Sequence, residues 1–215
     1  LHLSIRRQRQ MCIRDSPYSL WDGKDYKSTA LSEQERYNWI EFHKWMLKGQ
    51  WFTPLTRNGN LVLMARAEMG YLGHYNKNKV SPFERFEVGG DGMTGYNMYG
   101  IDIISMRGYD DGALDPVGSN YSCAYNKYTM ELRYPLLLKG QTNIYVLGFL
   151  EGGNGFTSWK EFSPFKIKRS AGIGVRLFLP VVGMVGVDWG WGFDPAAGQT
   201  KRSGSHIHFT MGMQF

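Results

Sequence analysis

The sequence predicts an all-β protein whose antiparallel strands cross a bilayer as part of a transmembrane β-barrel. Three observations carry that prediction. Apolar residues recur at every second position in runs of about ten residues from Leu61 onward, the ~9–11 residues that a tilted barrel strand needs. Turns between paired runs are short at one end (58–59, 139–141, 180–182) and long at the other (76–121, 152–167, 194–204), as in barrels with short turns on one side of the membrane and long extracellular loops on the other. The apolar face carries aromatics near strand ends (Tyr71, Tyr134, Trp189, Trp191, Phe193, Phe215), and the opposite face carries charges and glycine. A soluble sandwich also alternates apolar against polar, so the turn asymmetry and the aromatic girdles decide. With 15% aromatics and 27 Gly, the composition fits β-structure better than helices. No apolar run approaches the ~20 residues of a membrane helix.

The first residues are set apart. Arg7-Gln8-Arg9-Gln10-Met11-Cys12-Ile13-Arg14-Asp15-Ser16 resembles a translated transposon-end sequencing adapter. Residues 1–16 are therefore expected to be an unstructured artefact, with the protein proper starting near Pro17 in mid-chain. The lack of a signal peptide then says nothing about location. Residues 1–16 hold four Arg and one Asp, so they contribute +3 of the net charge of +6. The basic balance is half theirs, and a nucleic-acid partner is not expected. Setting Cys12 aside leaves Cys123, which makes neither a disulfide framework nor a metal cluster.

The domain expected over 17–215 starts with a polar stretch, Pro17 to Arg36. Trp39 to Thr53 reads as a strand with imperfect alternation and a bulge. Asn58-Gly59 is a hairpin signal. In the next strand Leu61, Leu63, Ala65, Ala67, Met69 and Tyr71 share a face against Arg66 and Glu68. After the long loop 76–121, Asn126 to Leu136 alternates with Lys127, Thr129, Glu131 and Arg133. Ile144 to Leu150 then alternates with Tyr145, Leu147, Phe149 and Glu151. A Lys-rich loop with Trp159, Phe162 and Phe165 follows. Ala171 to Leu179, Val185 to Phe193 and Ile207 to Phe215 complete seven strands.

Within the long loop lies Met106-Arg107-Gly108-Tyr109. An Arg followed by Gly and an aromatic reads as a loop tip that tucks inward: Gly permits the tight backbone, the ring buries, and the guanidinium needs a carboxylate. Glu131 and Glu151 have lumen-facing parity on neighbouring strands ~4.8 Å apart, within reach of one planar guanidinium. Other patterns carry less. Gly90-Asp91-Gly92-Met93-Thr94-Gly95 fits G-x-G-x-x-G, but no helical pattern follows it. His206 and His208 share a strand face without a third ligand. Asp188 and Glu131 are carboxylates with no nucleophile beside them. The expectation is a non-enzymatic protein with no catalytic residues, metal or cofactor.

Four motifs in order resemble the C-terminal half of the barrel of BamA-type outer-membrane assembly factors. They are Glu84-Arg85-Phe86-Glu87-Val88-Gly89-Gly90 leading into the loop, Arg107-Gly108-Tyr109 at its tip, and Phe149-Leu150-Glu151-Gly152-Gly153 on the next-but-one strand. The fourth is the last strand, Ile207, Phe209, Met211, Gly212, Met213 and Phe215, with a kink glycine and a terminal aromatic. The match covers roughly Lys24 to Phe215. The gap from Gly90 to Arg107 is longer than the family pattern, and Glu151 stands where the family has Asp.

The resemblance implies about seven strands of a sixteen-stranded barrel, an open sheet in this chain, and a loop pinned by Arg107 against Glu151. It further implies a bacterial outer-membrane location and a role in folding and inserting other β-barrels, with a client strand joining at the seam beside the last strand. The implied partners are outer-membrane lipid, client β-barrel proteins and accessory assembly lipoproteins. A related pore that secretes passenger proteins is the alternative within the same superfamily, and a soluble β-sheet binding protein is the reading outside it.

Overall fold

The computed structural model describes residues 2–11, 23, 32, 42–75, 81–93, 100–118, 121–139, 142–180 and 183–211, with backbone alone for 2–11, 138–139 and 142. Eight strands form one antiparallel sheet: β1 (His2–Met11), β2 (Phe42–Pro54), β3 (Val62–His74), β6 (Ala124–Lys139), β7 (Thr142–Phe156), β8 (Lys168–Leu179), β9 (Gly183–Pro195) and β10 (Arg202–Met211). Each lies beside its sequence neighbour except across the long loop, where β3 pairs with β6. Two three-residue strands inside that loop, β4 (Phe86–Val88) and β5 (Asp102–Ile104), make a separate parallel pair. The main sheet is open, with β1 and β10 as its edges.

The seven strands expected from alternation correspond to β2, β3 and β6 to β10. Their faces are inverted relative to a soluble sheet. On the concave face the charged Lys44, Glu68, Glu151 and Asp188 are buried, whereas on the convex face Ile173 is 64% and Ile207 65% exposed. An apolar outer surface and a charged interior suit a sheet whose outside meets hydrocarbon.

Three local readings are corrected. The expectation that residues 1–16 stay unstructured does not hold for His2–Met11, which pairs with β2 from His2↔Phe52 to Met11↔His43. Without it β2 would be an edge of unpaired N–H and C=O groups, and the ladder asks only for extended backbone with free amides. The bulge expected in β2 is missing, since its register with β3 is continuous from Phe42↔His74 to Pro54↔Val62. Its alternation looked imperfect because Phe42 and Met46 point inward, where the long loop supplies apolar partners. The shift instead falls in β6 between Pro135 and Leu137. Pro135 cannot donate to the ladder, so a bulge absorbs it and both Leu136 and Leu137 end up exposed.

The long loop folds into the concavity. Phe86, Val88, Ile104, Met106, Tyr109 and Leu114 from the loop form one buried cluster with Phe42, Met46, Leu72 and Tyr125 from the sheet. Phe86 meets the Tyr125 ring edge-on at 4.8 Å. A loop lying over a largely polar inner face has thus brought its own hydrophobic core, which seats on the apolar residues of β2, β3 and β6.

Candidate functional site

The loop is built outward from its N-terminal run. Lys44, on β2 and fully buried, reaches Glu84 at 3.1 Å and Asp102 at 2.8 Å and lies 5.0 Å from the Phe86 ring centroid. Arg85 donates through Nε to the Ser81 carbonyl. Phe86 and Ser122 exchange backbone hydrogen bonds at 2.9 and 2.7 Å, which ties the start of the loop to its end. Gly89 and Gly90 follow, with Gly90 opposite Met106 in an isolated bridge. The Gly90 N–H donates to the Tyr109 carbonyl and the Met106 N–H to that of Gly90. The Glu84–Gly90 run is therefore the brace behind the tip. The extra residues between Gly90 and Arg107 include β5, which widens the brace through its pairing with β4.

A second brace is Asp115. It accepts from the Ser122 hydroxyl and the Val88 N–H, while its Oδ2 is buried with no hydrogen-bond partner among the described residues. Burial pushes this carboxyl up to about 7, against the pull of those two donors, so near neutral pH it is protonated in a large share of molecules.

At the tip, Arg107 is buried and meets three strands. Its backbone N–H donates to Glu151 Oε2 at 2.9 Å. Its Nε and Nη2 donate to Glu151 Oε1 at 3.1 and 2.6 Å, and Nη2 also reaches Glu131 Oε1 at 2.6 Å. Its Nη1 lies 3.5 Å from Asp188 Oδ2. The guanidinium carbon sits 3.8 Å from the centroid of the Phe149 ring, so the side chain is held in its plane by acids and from one face by an aromatic. Each acid is gripped again from outside. Arg133 donates twice to Glu131 Oε2, Arg176 donates to both oxygens of Asp188, and Thr129 donates to Glu151.

Gly108 and Tyr109 complete the seat. Gly108 has φ +88°, a left-handed value that favours glycine. A Cβ on Gly190 would stand 2.7 Å from the Gly108 nitrogen, and one on Gly192 would stand 2.4 Å from its carbonyl oxygen. The backbone of the tip lies directly on β9, and β9 is bare there because those positions are glycine. The Tyr109 ring is buried and its hydroxyl donates to the Arg169 carbonyl. The Gly108 N–H donates to His208 Nε2 on β10 at 2.8 Å.

The structure thus brings Arg107, Gly108, Tyr109, Glu131, Phe149 and Glu151 together. Gly153 lies beside them on β7, where a Cβ would stand 2.6 Å from the Asn126 carbonyl oxygen. Ile207, Phe209 and Met211 are separate from the seat, exposed on the convex face of β10, and Gly212, Met213 and Phe215 lie outside the described residues. Sequence reasoning missed Asp188, Arg176 and His208 as members of the site. Their lumen-facing parity was legible, but not the depth at which the tip seats along β9 and β10. Among the described residues no three His, Cys, Asp or Glu side chains are grouped to hold a metal ion.

The fold is similar to the crystal structure of BamA from Haemophilus ducreyi lacking POTRA domains 1-3, with a TM-score of 0.55 and 17% identity over 79% of this chain and 34% of that one. The chain spans about a third of the length of that structure. No curated protein sequence matches it. The Omp85 superfamily domain matches residues 30–215, the span holding the whole docked loop and its seat, and the chain therefore belongs to the Omp85 superfamily.

Proposed function

We propose that this chain is the C-terminal part of the barrel of an assembly factor that folds β-barrel proteins and inserts them into the bacterial outer membrane. Superfamily membership implies an outer-membrane location. The observation that supports the finer reading is the docked tip: Arg107 bonded to Glu151 and Glu131 inside the sheet, with Gly108 beside it bonded to His208 of β10, the last strand of the described sheet. An edge strand is a template for β-augmentation. In this reading a client strand adds beside β10, and the loop fixes the sheet that carries it. The role is non-enzymatic and needs no cofactor. The partners are outer-membrane lipid, client β-barrels and accessory lipoproteins, with no nucleic acid.

The test is a charge exchange in the full-length protein, supplied to cells depleted of their own copy. Arg107→Glu places a fourth acid beside Glu131, Glu151 and Asp188, and client barrels in the outer membrane should fall several-fold. Adding Glu151→Arg should restore part of the loss. Unchanged client levels with impaired release of a secreted passenger would replace this reading with the translocation pore.

A further inference from the structure

We propose that His208 is a positioning residue that fastens the docked loop tip to the terminal strand β10, so that tip and edge strand hold or release together. Successive residues of the tip grip different elements: the Arg107 N–H bonds Glu151 on β7, and the Gly108 N–H bonds His208 on β10. Among the described residues β10 has one neighbour in the sheet, β9. The bond to His208 therefore ties it to something besides that ladder. A second contact lies one turn of the pleat away, where His206 Nδ1 stands 3.2 Å from Asp110 Oδ1 and its ring stacks on that of His208 at 6.0 Å. Both histidines of the inner face of β10 are thus spent on loop residues 108–110.

The proton requirement falls on His208. His206 meets Asp110 at Nδ1 and both the hydroxyl and the carbonyl of Ser203 at Nε2, so its Nε2 finds a partner whether or not it carries a proton. His208 accepts at Nε2 from a backbone N–H, so that nitrogen must be bare, and an imidazolium has no acceptor to offer. Protonating His208 breaks the bond whatever its midpoint. The groups that face it are His206 on its own strand, Asp188 on β9, Glu151 on β7, and Asp91 and Asp111 from the loop, together with Arg107 and Arg176 around the same cavity. Arg107, Lys127, Arg133 and Arg176 are taken up there by Glu131, Glu151 and Asp188, while Asp91 and Asp111 add negative charge on the loop side; the bare Nε2 that the Gly108 N–H needs is therefore a requirement of this one hydrogen bond, not of the charge around it. What the coupling serves rests on the proposed function. The coupling itself does not.

The test is hydrogen exchange on the full-length protein in lipid nanodiscs, without clients, read on segments covering 106–110 and 203–211. At pH 7.5 His208→Ala should raise exchange of both segments by about fivefold or more, the equivalent of one lost buried hydrogen bond. His208→Gln, which keeps an acceptor and cannot titrate, should restore protection. In the unmutated protein, protection of both segments, corrected for intrinsic rates, should fall together on acidification below pH 6, and the Gln variant should not follow. A rise confined to the loop tip, or acid sensitivity that survives in His208→Gln, would overturn the proposal. Client insertion measured in parallel separates failure of the latch from failure of the functional reading.

Discussion

Arg107 and Glu151 show how unequal two acids in one cluster can be. Glu151 takes the Arg107 backbone N–H, Nε and Nη2 and is also bonded by Thr129, whereas Glu131 takes one bond from Arg107 and two from Arg133. Breaking a buried pair by removing one charge costs ~3–5 kcal/mol, because the partner is left uncompensated in a low dielectric. Glu151→Gln should pay most of that, and Glu131→Gln about half, since Arg133 is part-exposed and can turn to solvent. Trypsin cleavage after Arg107 in intact membranes reads the difference: the buried arginine becomes accessible only when the tip leaves its seat. Equal cleavage of the two variants would mean that the network does not hold the tip. Both acids were legible in the sequence from strand parity alone, because each sits on a long uninterrupted alternation. Asp188 and His208 obeyed the same parity but stand 81 and 100 residues from the loop residues they meet, and nothing local fixes how deep the loop descends.

That depth is set by elements meeting backbone to backbone. The tip comes to rest on β9 where Gly190 and Gly192 remove the side chains, and the parallel pair β4–β5 with the Phe86–Ser122 bridge holds the loop's two ends behind it. Gly190→Val would put branched carbon where the Gly108 nitrogen lies. It should expel the tip while β9, whose ladder needs only backbone, stays paired with β8 and β10. Gly148→Ala is the control: it lies on the convex face, and its Cβ would meet nothing nearer than 4.0 Å. Exchange of the Met106 and Gly108 amides should rise at least tenfold in Gly190→Val and stay unchanged in Gly148→Ala, with β9 amides protected in both. Loss of β9 protection alongside the tip would show that the loop supports the strand rather than resting on it. At this scale the seven long strands were legible because their period extends over many residues. The three-residue β4 and β5 were not, since so short a stretch has no period and exists only because the folded loop brings its two halves side by side. β1 was not legible either, since its pairing answers a need of β2.

Taken whole, the sheet buries its charges and exposes its apolar side chains, an order that makes sense only if the convex face is not in water. The concave face satisfies Lys44, Arg107, Glu151 and Asp188 through ion pairs, while Trp51, Trp189, Leu150, Phe209 and Ile207 on the outside lie 47–65% exposed. More than a dozen large apolar side chains crowd that outer face, a contiguous apolar patch far beyond what a protein surface in water usually presents. In hydrocarbon they cost nothing. The girdle is graded as well. Trp189, expected near a strand end, instead sits mid-strand on β9, opposite Ile173 of β8, whereas Trp159 lies in the 3-10 turn after β7 at the long-loop end, stacked on Phe162 and touching Tyr71. Full-length protein carrying a single tryptophan at either position, reconstituted with lipids brominated at chosen depths, should separate the two. Trp189 emission should be quenched most by bromines far down the acyl chain, and Trp159 emission by bromines near the headgroup. The order follows from strand geometry: ~3.3 Å of rise per residue along a tilted strand places a mid-strand residue near the centre of a ~30 Å hydrocarbon layer and a loop residue at its rim. Equal quenching at all depths, or none, would mean that the convex face is covered by protein instead of lipid, and the soluble-sheet reading would take the place of the barrel.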